Sequence, residues 1–234
     1  MKTIAIMQPY IFPYVGYFQL INSVDEFVIY DNIKYTKRGW INRNRILVNG
    51  KDTLFSIPIE NDSDYLNVVD RKLAYTWAIE RKKILNKIYS NYNKSEFFNE
   101  SFDVIKKCLM QDEYNLFNFI FNSLSFVNDY IGISTQLIIS STIDIDHTLK
   151  SENKVIAICQ KQNAERYINA IGGMVLYDKS AFKNANIELN FIKSNPIVYK
   201  QFDYEFVPWL SIIDVMMHNS KEKLQEHLKN YLLI

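Results

Sequence analysis

Thr3 to Met7 form a short β-branched and apolar run, which predicts a strand buried on both faces. Gln8-Pro9 ends it, because proline has no N–H for a strand ladder. Pro13 can then supply the preset φ of a helix's first position, and Tyr14, Phe18 and Ile21 recur at helical spacing up to Ser23. Glu26 to Tyr30 make a second apolar run that ends at Asp31. Strand, turn, helix and strand within about thirty residues predict a βαβ unit with parallel strands and a right-handed crossover. Ligands of such sheets sit beyond the carboxyl ends of the strands, here Gln8 to Phe12 and Asp31 to Lys37.

Further along, Arg45 to Val48 and Thr53 to Ile57 flank Asn49-Gly50-Lys51-Asp52, and Asn-Gly tolerates the positive φ values of a tight hairpin turn. From Asp70 to Tyr92, Leu73, Trp77, Ile84 and Ile88 share one helical face, while Arg71, Lys72, Arg81, Lys82, Lys83 and Lys87 cover the rest. Ser101 to Met110 and Glu113 to Ile131 predict two more helices, so residues 70–131 read as a helical insertion. Alternation then resumes: strand at Gln136 to Ser140, helix at Ser151 to Asn163, strand at Arg166 to Ala170, strand at Ile187 to Ile192. Pro208 to Ile234 carries two helical patterns divided near Asn219-Ser220, with Ser220 placed as an N-cap. The expected class is α/β: a parallel, Rossmann-like sheet opening on a βαβ unit, with a β-hairpin and a helical insertion, in a single domain over residues 1–234.

Composition narrows the function. The chain has 234 residues with 48% hydrophobic content, enough for a substantial core. Its 27 basic and 26 acidic residues leave a formal charge of +1, so no overall field favours nucleic acid or an anionic membrane. Cys108 and Cys159 are too few for a disulfide framework or a thiolate metal site and sit among apolar residues, as expected in a reducing compartment. The opening apolar run is too short for a signal segment, and no run of roughly 18 apolar residues exists, so a cytoplasmic protein without a membrane span is expected.

The polar chemistry concentrates between residues 8 and 45. Gln8, Tyr10, Phe12, Gly16 and Tyr17 surround a proline-framed strand-to-helix turn, where the positive end of a helix can seat phosphate. The same aromatic residues would serve equally as packing. Topology alone would suit nucleotidylyl transfer, but this turn brings no histidine. Lys37, Trp40, Asn42, Arg43, Asn44 and Arg45 mix cations, amides and an indole; guanidinium forks hold phosphate or carboxylate, and indole stacks on a base or sugar. In an extended segment Asn42 and Asn44 share one face and Arg43 and Arg45 the other, so one pair is expected to be structural. Asp31, at a strand end, is the first general-base candidate, though pairing is the commoner fate of a half-buried carboxylate. Gly172 and Gly173, followed by Tyr177, offer a second backbone surface, or simply a turn. Asp144, Asp146 and His147 read as a solvated loop, and no metal site is expected. Asp214 and His218 stand at i, i+4 on a predicted helix, with His218 a secondary catalytic candidate, whereas His227 reads as surface. No serine or cysteine has an elbow motif or histidine partner that would make it a nucleophile.

The block MQPYIFPYVGYFQLINSVDEFVIYDNIKYTKRGWINRNRI resembles the opening of the WbqC-like family, with further matches in YINAIGGMVLYD and YKQFDYEFVPWLSIIDVMMHNS. The positions carrying the match include Gln8, Phe12, Gly16, Tyr17, Asp31, Lys37, Trp40, Asn42, Arg43, Asn44, Gly172, Gly173, Gln201 and Asp214. Lys34 stands where the family pattern has glutamine, and His218 where it has an apolar or aromatic residue. The resemblance implies bacterial O-antigen and surface-polysaccharide biosynthesis, hence work on nucleotide-linked sugars, often amino sugars, without fixing the reaction. The expected activity is a transferase moving an acyl or aminoacyl group onto the amine, from a donor and with cofactors not identified. The alternatives are a nucleotidyl- or glycosyl-transferase and a non-catalytic binding subunit, and a homodimer is allowed for.

Overall fold

β1 (Thr3–Met7) lies near the middle of a six-stranded sheet in a computed structural model that describes residues 1–234. α1 (Val15–Asn22) carries the chain to β2 (Glu26–Ile29), which pairs parallel with β1, as a βαβ unit requires. A separate antiparallel hairpin follows, β3 (Arg43–Val48) and β4 (Lys51–Ser56). Both residues of its two-residue turn, Asn49 and Gly50, have positive φ, the geometry that matches strand twist. Three helices follow: α2 (Trp77–Tyr92), α3 (Phe98–Met110) and α4 (Leu116–Ile131). The sheet is completed by β5 (Gln136–Ile139), α5 (Ser151–Lys161), β6 (Arg166–Ala170), α6 (Lys179–Asn184) and β7 (Glu188–Ser194). After α7 (Ile212–His218) and α8 (Lys221–Leu228), β8 (Tyr231–Leu233) adds antiparallel to β7, giving the order β5-β2-β1-β6-β7-β8.

The period-two alternation of each buried strand feeds two cores. Ala5, Phe27 and Ile29 face the larger, built with α1, the helical block, α7 and α8. Ile4, Ile6 and Val28 face the smaller, built with α5 and α6. The sheet is thus covered on both sides, which explains its near-continuous apolar strands.

Several local expectations shift. α2 starts at Trp77 rather than Asp70, and Leu73 instead forms an isolated bridge to Ile59 and donates its N–H to Tyr114 O. Leu73 and Trp77 are both buried, so the core satisfies the periodicity without helix between them. Pro13 precedes the N-cap, Tyr14, instead of occupying the first helical turn. β8 lies in what reads as a helical tail, and His227, expected at the surface, is 6% exposed with its ring against Asn219 and Tyr199.

Candidate functional site

β1 and β6 are neighbours, but the chain leaves β1 through α1 toward β2 and leaves β6 through α6 toward β7 on the other side. That divergence opens a crevice beyond the carboxyl ends of the two strands. A cavity of about 500 Å³ occupies it, floored by Met7, Ala170, Ile171 and Ile192 to Ser194 at the ends of β1, β6 and β7. Tyr10, Pro13, Tyr14, Gly16, Tyr17 and Leu20 form the α1 side, and Trp40, Asn44, Arg45 and Trp209 close the rim.

The turn after β1 is held by one amide. Asn44 Nδ2 donates to the carbonyls of Ile11 (3.0 Å) and Phe12 (2.7 Å), and Ser211 Oγ also donates to Phe12 O (2.7 Å). These bonds fix Phe12 at φ 42, a left-handed conformation rare for a bulky side chain. Tyr17 Oη donates to Gln8 O (2.8 Å) and Tyr10 Oη to Gln8 Oε1 (3.3 Å), so Gln8 and Phe12 support the turn beneath the cavity. Gly16 has no room for a side chain: a Cβ would lie 2.7 Å from Ser194 Oγ. No side chain caps α1, whose N-cap Tyr14 and first-turn residues Gly16 and Tyr17 border the cavity.

The 42–45 segment does not sort by alternation at the cavity: Asn44 and Arg45 line it, and Asn42 and Arg43 do not. Asn42 accepts from Tyr35 Oη and donates to Ile57 O, both at 2.8 Å, away from the cavity. Arg45 and Arg43 set their guanidinium carbons 5.3 and 5.7 Å from the Trp40 ring centroid. Arg43 is spent on the Gly39 and Arg38 carbonyls, and Arg45 Nη1 bonds Asp52 at 2.8 Å, but Arg45 Nε is buried without a partner. Burial raises the pKa of Tyr10, Tyr14 and Tyr17, so the phenols stay neutral donors near pH 7.

Other candidates lie elsewhere. Asp31, 1% exposed, accepts from Ser140 Oγ (2.7 Å) and Ser141 N (2.8 Å) at the ends of β2 and β5 and is not part of the cavity lining. Lys154, buried on α5, bonds Asn32 Oδ1 (3.0 Å) beside it; burial lowers its pKa, against the opposing pull of Asp31. Lys37 pairs on the surface with Asp64. Gly172 and Gly173 sit in a 3-10 turn running on from the Ile171 wall; Gly173 packs against Asn169, and Tyr177 packs edge-on to Tyr167 on the α5 and α6 side. Asp214 is fully buried and accepts from Tyr199 Oη (2.6 Å), Gln201 Nε2 (2.7 Å) and Tyr92 Oη (2.8 Å). His218 Nε2 lies 3.9 Å from Asp214 Oδ1 without a hydrogen bond, and burial lowers the pKa of the imidazole. No group of three or more His, Cys, Asp or Glu side chains is placed to hold a metal. Sequence reasoning gives Lys193 and Trp209 no place in the cavity and takes Tyr14 as a helical or packing residue; Trp209, read at the start of a helical pattern from Pro208, lies instead in the irregular stretch before α7.

A model of the WbqC-like protein family matches residues 8–226. The chain is 28% identical over 226 residues to an uncharacterized protein of Mycobacterium tuberculosis, Rv1507c, covering 95% of this chain and 96% of that one. No solved structure matches the chain. No helix is long and apolar enough to cross a membrane.

Proposed function

The chain belongs to the WbqC-like protein family, and from that membership and the cavity we propose a transferase of surface-polysaccharide biosynthesis that acylates a nucleotide-linked amino sugar. The observation carrying the reading is the cavity itself, whose volume lies in the roughly 300–1,000 Å³ range of small-molecule sites. Its Trp40 and tyrosine surfaces suit a flat base or a sugar face. Its cations suit a diphosphate: Arg45 at the rim, Lys193 at the floor, and the uncapped start of α1.

In the proposed step the sugar's amine nitrogen bonds to the acyl carbon of the donor. The bond from that carbon to the donor's leaving atom breaks, and the amine proton departs with the leaving group. The protein's contribution is to hold both reactants in register on a rigid turn, a positional advantage that needs no carboxylate in the cavity.

A thermal-shift panel of UDP- and dTDP-linked amino sugars tests the reading. A ligand at a hundredfold excess over Kd should stabilise the protein by about 2.7 kcal/mol. Trp40→Ala and Arg45→Ala should each reduce that shift. A panel in which no sugar nucleotide stabilises the protein overturns the proposal.

A further inference from the structure

Beside the cavity lies a second, smaller pocket of about 250 Å³ that shares two of its walls, Tyr14 and Trp209. Its remaining lining is mainly aliphatic, from Ile197, Val198, Pro208, Leu210 and Val215, and contains no charged side chain. We propose that this pocket holds the aliphatic chain of the acyl group being donated; the inference rests on the transferase reading and adds the chemical class of the donor.

Two observations mark the pocket as a built feature. The irregular segment between β7 and α7, which supplies most of its wall, is moored to one buried carboxylate: Asp214 takes the Tyr199 hydroxyl and the Gln201 amide together. Gln201 Oε1 in turn accepts from Val207 N (2.7 Å) and Gln201 Nε2 donates to Val207 O (3.0 Å), so the wall is fixed on both flanks. A mooring with this many satisfied bonds gives a pocket shape that does not depend on an occupant. The second is Trp209, a residue held at φ 62 and 59% exposed at the shared wall. An L residue in the left-handed region, with a large apolar ring left in solvent, is the kind of local strain found where a ligand contact is made.

The two chambers divide by chemistry. Cations and the helix start belong to the larger one, while the smaller one offers only apolar walls and neutral hydroxyls. A charged nucleotide sugar and an aliphatic chain would therefore sort to opposite sides of the Tyr14–Trp209 pair, with the acyl carbon and the acceptor amine meeting at it.

Isothermal titration with N-acetylcysteamine thioesters of acetyl, butyryl, hexanoyl and octanoyl groups tests this on the full chain. Each added methylene should tighten binding about three- to fourfold until the pocket is full. Ile197→Phe should shorten the longest chain accepted, and Val198→Glu, at an exposed position of the wall, should weaken the whole series. Neither change should alter the thermal shift from a sugar nucleotide. Affinity independent of chain length, or a series unchanged in both variants, overturns the inference. A sugar-nucleotide shift that persists alongside such a result leaves the transferase reading standing, whereas loss of that shift alone defeats the reading and not the pocket.

Discussion

The rings of Tyr14 and Trp209 lie 5.1 Å apart between centroids, tilted by 52°, and together they form the partition between the two chambers of the site. One comes from the start of α1 and the other from the segment before α7, so the partition exists only where two distant parts of the chain meet.

Trp209→Gly should remove the partition without unfolding the protein. Glycine relieves a left-handed backbone that costs an L residue about 1–3 kcal/mol, which offsets the roughly 0.5–1.5 kcal/mol lost with the aromatic pair. Chemical denaturation should therefore show a near-neutral change, while the sugar-nucleotide thermal shift shrinks. A large loss of stability would contradict the assignment of strain.

Asn44→Ala should destabilise by about 1–3 kcal/mol, because it strands a bond to each of the buried Ile11 and Phe12 carbonyls. Urea titration measures this. Arg43→Ala, removing a group bonded only at the surface turn, should cost less than Asn44→Ala.

Gly16→Ala places a methyl group where Ser194 Oγ now sits, and Ser194 in turn donates to the buried Gln19 Oε1 at 2.5 Å. Overpacking of this sort costs about 1–3 kcal/mol. Gly16→Ala combined with Ser194→Gly should recover part of the loss, read as a non-additive double-mutant cycle.

Burial holds His218 and His227 below the ordinary imidazole value of 6.5, against the pull of Asp214 on the first; for the second, Lys223 adds to the lowering and Glu226 opposes it. The unfolded chain therefore binds protons before the folded one as pH falls. The stability gained by keeping these rings neutral is full above about pH 6.5 and is lost progressively below it. Melting temperature against pH should fall off more gently in His218→Phe than in the parent chain.

Asp31→Asn should change stability more than sugar-nucleotide binding, since the carboxylate accepts from Ser140 and Ser141 away from the cavity. The expected loss is about 1–3 kcal/mol. A variant of native stability that has lost turnover would instead return Asp31 to the role of base.

What could be read from the sequence is local. The strands of the parallel sheet and the Asn49-Gly50 hairpin follow from patterns within a few residues, whereas the alternation of Asn42 to Arg45 does not sort the cavity, which Asn44 and Arg45 line together while Asn42 and Arg43 do not. Leu73 misled the start of α2 because a buried residue one turn before Trp77 has the same spacing whether or not the backbone between them is helical. β8 escaped notice because its pairing with β7 is a contact across the fold, with only Tyr231 to Leu233 to announce it. Of the residues that look alike in sequence, Trp40, Arg45 and Gly16 converge on the cavity while Asp31, Lys37 and Asn42 do not. Periodicity assigns faces, and only tertiary contact assigns neighbours.

Gln19, on the buried side of α1, donates to the carbonyls of His227 and Asn230, more than two hundred positions away. A nascent chain on the ribosome would therefore carry every rim residue of the larger chamber before α8 and the turn after it could brace the helix beneath them. Ligand competence should arrive late and abruptly, with release of the final strand, and a chain stopped short of α8 should be a target for proteolysis at α1 even though that helix is among the first elements made.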